Sequence, residues 1–228
     1  MRLLPTVLSV IAGSCDIISF IGLGGLFTAH ITGNLVVLAA RIVGGASAPL
    51  SYMISVPVFI VALALTRLLA GGLERLGIAS LRPLLAAQFV LLCGFLVLGV
   101  TFGPATDPNA VTAVTAGMLG VSAMAVQNAL VQISIRGAPT TAVMTTNITR
   151  LIMDLGEVLL GRDPAEIAEA GDRARHTAAA VVGFAIGGAI GAACEMLLGL
   201  WSLALPASLA LIALAISLAT SLEPPSAP

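Results

Sequence analysis

Six stretches of this chain run for about the depth of a bilayer with almost no charge: Leu4–Leu23, Tyr52–Leu69, Pro83–Phe102, Ala110–Ile135, Thr177–Leu198 and Leu203–Leu222. A helix needs about 20 apolar residues to cross a hydrocarbon core of about 30 Å. In lipid, each backbone N–H and C=O must be satisfied internally, so isolated apolar runs of this length fold as helices. Only 9% of the 228 residues are charged, and mean hydropathy is +1.09. A soluble domain carries about 25% charged residues, so too few remain here to dress a water-facing surface. The chain reads as one all-α polytopic membrane domain over 1–228, with the lipid bilayer as its first partner. Net charge is −1 and no basic run occurs, which leaves nucleic-acid binding unsupported.

Two polar, glycine-punctuated stretches interrupt this pattern. Phe27–Leu38, FTAHITGNLVVL, follows a break at Gly24-Gly25. Thr140–Ile152, TTAVMTTNITRLI, follows a break at Gly137-Ala138-Pro139. Laying Thr32-Gly33-Asn34 over Thr145-Thr146-Asn147 also places Thr28 over Thr141 and Ala29 over Ala142. The chain therefore reads as two repeats, about 4–103 and about 110–222.

Arginine placement separates two topologies, because short cytoplasmic loops are enriched in basic residues. With six spans and an internal N-terminus, Arg2, Arg67, Arg75, Arg82, Arg136, Arg150, Arg162, Arg173 and Arg175 are cytoplasmic and only Arg41 is external. With eight spans, as 4+4, Arg2, Arg41, Arg162, Arg173 and Arg175 oppose Arg67, Arg75, Arg82 and Arg136, which is no bias. Six spans with both termini cytoplasmic and two broken or re-entrant segments is the favoured reading. A repeat after three spans is inverted. Inverted repeats with discontinuous helices recur in transporters, whose sites lie near the midplane.

This plan selects the candidate substrate-binding residues. Asp16 is eight residues before Gly24 and Asn34 nine after Gly25; Asn128 is nine before Gly137 and Asn147 eight after Pro139. At 1.5 Å per residue these lie roughly 12–14 Å in from opposite faces. An ionised carboxylate in hydrocarbon costs about 2.5–3.5 kcal/mol on insertion scales, so Asp16 needs a polar cavity, a partner or a helix backbone to cap. The set is Asp16, His30, Thr32, Gly33, Asn34, Gln127, Asn128, Thr145 and Asn147. Helices starting near Thr28 and Thr140 present free N–H groups there. His30 is either a proton relay or a hydrogen-bonded structural group. Thr32, Gly33 and their neighbours serve helix packing equally well.

Other features are expected to be structural. Cys15, Cys93 and Cys194 read as small packing thiols, with no metal set and no cofactor implied. Ala12-Gly13-Ser14-Cys15 only faintly resembles a lipoprotein cleavage site, and apolar sequence continues beyond it, so the first run reads as a helix. Gly103–Asn109 reads as a turn, and Gly161–His176 as a charged cytoplasmic loop. Arg150 and Asp154 are spaced to pair at i,i+4. The last two runs form an antiparallel hairpin, Glu195 reaches interfacial water, Trp201 anchors the interface, and the tail from Glu223 is disordered.

These residues also carry a resemblance. FTAHITGNLVVLA behind a Gly-Gly break, Asp16 in the first helix, VQNALV, and GAPTTAVMTTNITRL resemble the YoaK-like family of bacterial membrane proteins, which carry domain of unknown function 1275. The resemblance runs over nearly the whole chain. It implies a six-span protein of the bacterial inner membrane and implies no particular activity. Thr146 stands where the first motif has Gly33, so the half-sites need not be equivalent. Three classes of function follow. A transporter of a small molecule or ion is favoured by the repeat. An enzyme is disfavoured, since Asp16 with His30 is the one acid–base pair and no nucleophile pair is present. A non-transporting scaffold or sensor would use the charged loop as a docking site. Homo-oligomerisation is left open.

Overall fold

A computed structural model of the chain describes residues 3–45, 49–102, 109–135 and 137–220, without the side chain of Phe102. Arg2, Arg136, residues 103–108 of the turn expected over Gly103–Asn109, and the tail from Glu223 lie outside the described residues. The described chain is helical: α1 (Leu4–Gly22), α2 (Ile31–Val43), α3 (Leu50–Arg75), α4 (Leu81–Phe102), α5 (Val111–Ser134), α6 (Met144–Leu160), α7 (Pro164–Leu198), a 3-10 turn at Gly199–Leu203, and α8 (Ala204–Ala219). Five helical stretches are long and apolar enough to cross a membrane: α1, α3, α4, α5 and the unit Pro164–Ala219 that joins α7 to α8. α2, at 13 residues, is apolar but short.

Of these stretches, α1 and α5 are the most enclosed and α3 the least. α1 lies against α5, α7 and α8; α5 lies against α3 and α4; α4 also meets α8; α2 rests on α3 and α6 on α7. Exchanging α1–α4 for α5–α8 maps this set of pairings onto itself. α1/α7 becomes α5/α3, α1/α8 becomes α5/α4, and α2/α3 becomes α6/α7. The pairs α1/α5 and α4/α8 map onto themselves.

Glycine makes the α1/α7 contact possible. Gly183, Gly187 and Gly191 recur every four residues on the buried face of α7. A Cβ on Gly187 would meet Val10 Cα at 2.8 Å, and one on Gly191 would meet Ser14 Cα at 2.9 Å. Without a hydrophobic driving force between helices in lipid, close backbone approach through small residues is what holds such pairs.

Contacts at the helix ends give the direction of each element. At one end the Tyr52 hydroxyl donates to Gly24 O at 2.7 Å and Leu50 N–H donates to Asn109 Oδ1 at 2.8 Å. Leu200 lies beside Gly22 and Gly99 at this end. At the other end the Ser80 and Ser134 hydroxyls are 3.0 Å apart, and Arg82 reaches Ser217 O at 3.4 Å. The chain between α1 and α3, including α2, thus begins and ends at the same face of the bundle. α7 ascends beside α1 and α8 descends to Arg82, so the two are antiparallel, though α7 lies chiefly on α1 and α8 lies on both α4 and α1.

Three local expectations change. Gly161–His176 is not a loop: from Pro164 it forms the first turns of the 35-residue α7. Asp163 caps that helix, accepting from Ala165 N–H at 2.8 Å, with Pro164 at the first helical position and Glu166 in the first turn. Asp154 pairs across to Arg173 of α7 at 2.9 Å rather than back to Arg150. Glu195 is buried and accepts a hydrogen bond from the Ser202 hydroxyl.

Candidate functional site

The first break is built by Gly24 and Gly25, at φ +70° and +98°. That region is costly for any residue with a Cβ. At Gly25 a Cβ would also meet the Tyr52 hydroxyl at 2.5 Å. The chain turns back along α1 until residues 28–30 reach Asp16. Asp16 Oδ1 accepts from Thr28 N–H at 2.9 Å and Ala29 N–H at 2.6 Å. Oδ2 accepts from His30 N–H at 3.2 Å and lies 2.6 Å from His30 Nδ1. These N–H groups precede α2, where the backbone has no partners of its own and the dipole is positive. The buried carboxylate is compensated by three N–H groups and an imidazole. Asp16 thus caps α2 from α1, and its oxygens are engaged by the protein.

Asn34 closes the same turn. Its Oδ1 accepts from Phe27 N–H at 2.8 Å, and its Nδ2–H donates to Phe27 O at 2.8 Å and to Ser55 Oγ at 3.1 Å. The second motif repeats this device. Asn147 Nδ2–H donates to Thr140 O at 2.5 Å and its Oδ1 accepts from the Thr140 hydroxyl at 3.1 Å. In both motifs the Asn ties its helix to the residue seven positions earlier. The exchange of Gly33 for Thr146 has a local cause. A Cβ on Gly33 would meet the Phe27 ring at 3.0 Å. The second motif carries the smaller Thr140 in the place of Phe27.

Gln127 occupies in α5 the place that Asp16 holds in α1. Its Nε2–H donates to Thr141 Oγ1 and to Leu8 O, both at 2.9 Å, and its Oε1 accepts from Gln88 Nε2–H at 2.6 Å. It ties the second break to α1 and α4. Gln88 Oε1 is the one buried side-chain polar atom without a partner among the described residues.

The nine candidates therefore divide into two groups. Asn34, Gln127 and Asn147 are fully buried and turned into the protein. They clamp the breaks and line neither of the two cavities described next. His30, Thr32, Asn128 and Thr145 line a cavity of about 280 Å³ together with Ala29, Ile31, Phe59, Ala142, Val143 and Met144. Residues of both breaks meet there. Asp16, His30, Thr32 and Gly33 line a second cavity of about 510 Å³ with Gly13, Ile17, Phe27, Val36, Phe184 and Gly188. His30 and Thr32 belong to both.

His30 is the hinge between the cavities. In the tautomer whose Nδ1–H donates to Oδ2, Nε2 has no hydrogen-bond partner among the described residues. The ring is held edge-on between Phe184 at 5.3 Å and Phe27 at 6.2 Å, and its side chain stays 39% exposed. Asn128 spends its Nδ2–H on Met124 O at 2.9 Å, which leaves Oδ1 for the cavity. The sequence reading had not included Phe184, Phe59 or Gln88. Phe184 was open to inference, since Gly183, Gly187 and Gly191 mark the face of α7 that meets α1.

One comparison places the chain. The family described as "Protein of unknown function (DUF1275)" matches residues 4–216. The chain belongs to that family. No curated protein and no solved structure matches it. For this DUF1275 member the geometry is two breaks, each clamped by an Asn, converging on one cavity with four polar side chains in its lining.

Proposed function

We propose that the chain is a six-span carrier of the bacterial inner membrane, built from two inverted repeats of about 4–103 and 110–222. It moves a small molecule or ion through the cavity between its broken segments. The observation that carries this reading is the shared lining: Ala29–Thr32 from the first break and Ala142–Thr145 from the second face one space. Transporter sites form where discontinuous helices of two repeats meet. The exchange of helix pairings between α1–α4 and α5–α8 supports the repeat. The return of the chain from Gly24 to Tyr52 at one face supports a re-entrant α2. Inversion follows, because α1 and α5 then run in opposite directions. The arginine bias supports cytoplasmic termini.

Two measurements test this. In a background with Cys15, Cys93 and Cys194 replaced by Ala, single cysteines are placed at the exposed positions Val43 and Leu76. Labelling of position 43 only from outside and of position 76 only from inside is expected. The reverse pattern means eight spans and removes the inverted plan. Asn128→Leu then fills the cavity without touching either Asn clamp. Solute uptake by proteoliposomes should be lost in that variant, and unchanged uptake would remove the cavity from the path.

A further inference from the structure

The two cavities that adjoin at His30 and Thr32 differ in chemistry. The larger is walled by Ile17, Phe27, Val36, Phe184 and the bare backbones of Gly13 and Gly188, with Asp16 and His30 at its floor. Its rim is apolar and faces outward, with Val36 70% exposed. In the membrane reading it is a lateral crevice open to lipid. The smaller cavity supplies the polar side chains Thr32, Asn128 and Thr145. One molecule that satisfies both has a hydrocarbon tail and a compact polar head.

The available partners decide the charge of that head. Both oxygens of Asp16 are already engaged, and among the described residues no other carboxylate lines either cavity. A cationic head would find neither Asp16 oxygen open to bond it, since backbone N–H groups and the His30 ring already hold both. His30 Nε2 is a free acceptor facing the junction, and the Thr32 and Thr145 hydroxyls are donors. We infer that the site takes an amphipathic carboxylic acid, its tail in the crevice and its head at His30 between the two breaks. On binding, the acid's O–H bond breaks and its proton forms the Nε2–H bond of His30. The electron pair stays on the carboxylate. The imidazolium is then hydrogen-bonded on both nitrogens, to Asp16 and to the ligand carboxylate. Acid and proton enter together, so loading is electroneutral. This deepens the carrier reading and rests on it for passage across the membrane, but not for binding.

The test uses the full-length protein in phosphatidylcholine nanodiscs and decanoic acid bearing a terminal diazirine. Photolabelling is mapped by mass spectrometry. Label is expected at Ile17, Val36 and Phe184, competed by excess decanoate and not by decyltrimethylammonium. His30→Gln removes the proton acceptor and should weaken competition by about tenfold or more, the scale of a lost charge-assisted hydrogen bond. Gly188→Leu should abolish the competed label by filling the crevice. The fold should tolerate it, since a Cβ there meets nothing nearer than Gly13 O at 4.0 Å. Label spread evenly over lipid-facing α3 and α8, equal competition by the cation, or full competed labelling in Gly188→Leu would each overturn the inference. Competed labelling without flux of any solute would instead remove the carrier reading and leave the binding site standing.

Discussion

Asn34→Ala is the most direct probe of how the first break is held. It deletes the acceptor for Phe27 N–H, the donor to Phe27 O, both at 2.8 Å, and the 3.1 Å contact to Ser55. Asn34 is fully buried, so little water reaches the vacated space. Each buried backbone group left unpaired costs about 1–3 kcal/mol. Phe27 is only partly enclosed, so a total near 3 kcal/mol is expected for its two groups, at the low end of that range. In a chain of this size that is a fall in Tm of roughly 6–12 °C, at about 2–4 °C per kcal/mol. The assay is thermal unfolding of the purified protein in detergent, read by loss of the monodisperse peak. Asn147→Ala is the internal comparison. It orphans one backbone carbonyl, Thr140 O, while the Thr140 hydroxyl keeps Val143 O at 3.3 Å. Its cost should be about half, near 1–2 kcal/mol. Asn34→Asp, which would aim a buried carboxylate oxygen at Phe27 O, should cost at least as much as Asn34→Ala. A native Tm for Asn34→Ala, or a larger loss in Asn147→Ala, would refute the clamp. Native stability with lost ligand binding would make Asn34 a ligand contact instead.

Other expectations follow from single contacts. Gly187→Ala drives a methyl into Val10 and should cost about 1–3 kcal/mol by overpacking, whereas the adjacent Gly188→Ala has room and should be neutral or slightly stabilising; paired melting curves check this. Asp163→Ala removes the cap of α7 and should cost about 1 kcal/mol, seen as faster hydrogen exchange over 164–168 with the spans unchanged. Tyr52→Phe loses the 2.7 Å bond to Gly24 O and should cost about 1 kcal/mol, with hydrogen exchange rising over 24–26 but not over 76–78.

The spans were legible in the sequence because lipid allows one solution to an apolar run of that length. The breaks were legible because Gly24-Gly25 and Gly137 are needed where φ is positive. The likeness of Asn34 to Asn147 was legible as a repeat, yet its use was not. An Asn in an apolar chain bonds to whatever is near, and only the fold reveals that Phe27 and Thr140 are nearest. The partners of Asp16 were not legible for a similar reason. Its cost in lipid was clear, but its partners are backbone N–H groups that carry no side-chain signature. The start of α7 was missed although its signals are local. Asp163-Pro164 followed by Glu166 is a capping sequence, and Glu169 pairs with Arg173 one turn on at 3.0 Å. Its charge density drew attention to solvent exposure rather than to helix formation.

The two breaks use one plan with different chemistry at its centre, and that difference has a functional consequence. In the first, a carboxylate neutralises the start of α2 and holds an imidazole beside it. In the second, the neutral Gln127 reaches only the Thr141 side chain, so the start of α6 keeps more of its positive end. A perfect repeat would offer the same half-site to both faces of the membrane. Here one half supplies a proton acceptor and the other an uncompensated helix start, both facing one cavity. For the carrier proposed above, the states open to the two faces are therefore not mirror images. The acid head passes from a base at His30 toward hydroxyl and backbone donors at Met144 and Thr145. Net direction would still be set by the gradients of the acid and its proton, but the barriers on the two sides need not match. The asymmetry between Asp16 and Gln127 is where that mismatch is built in.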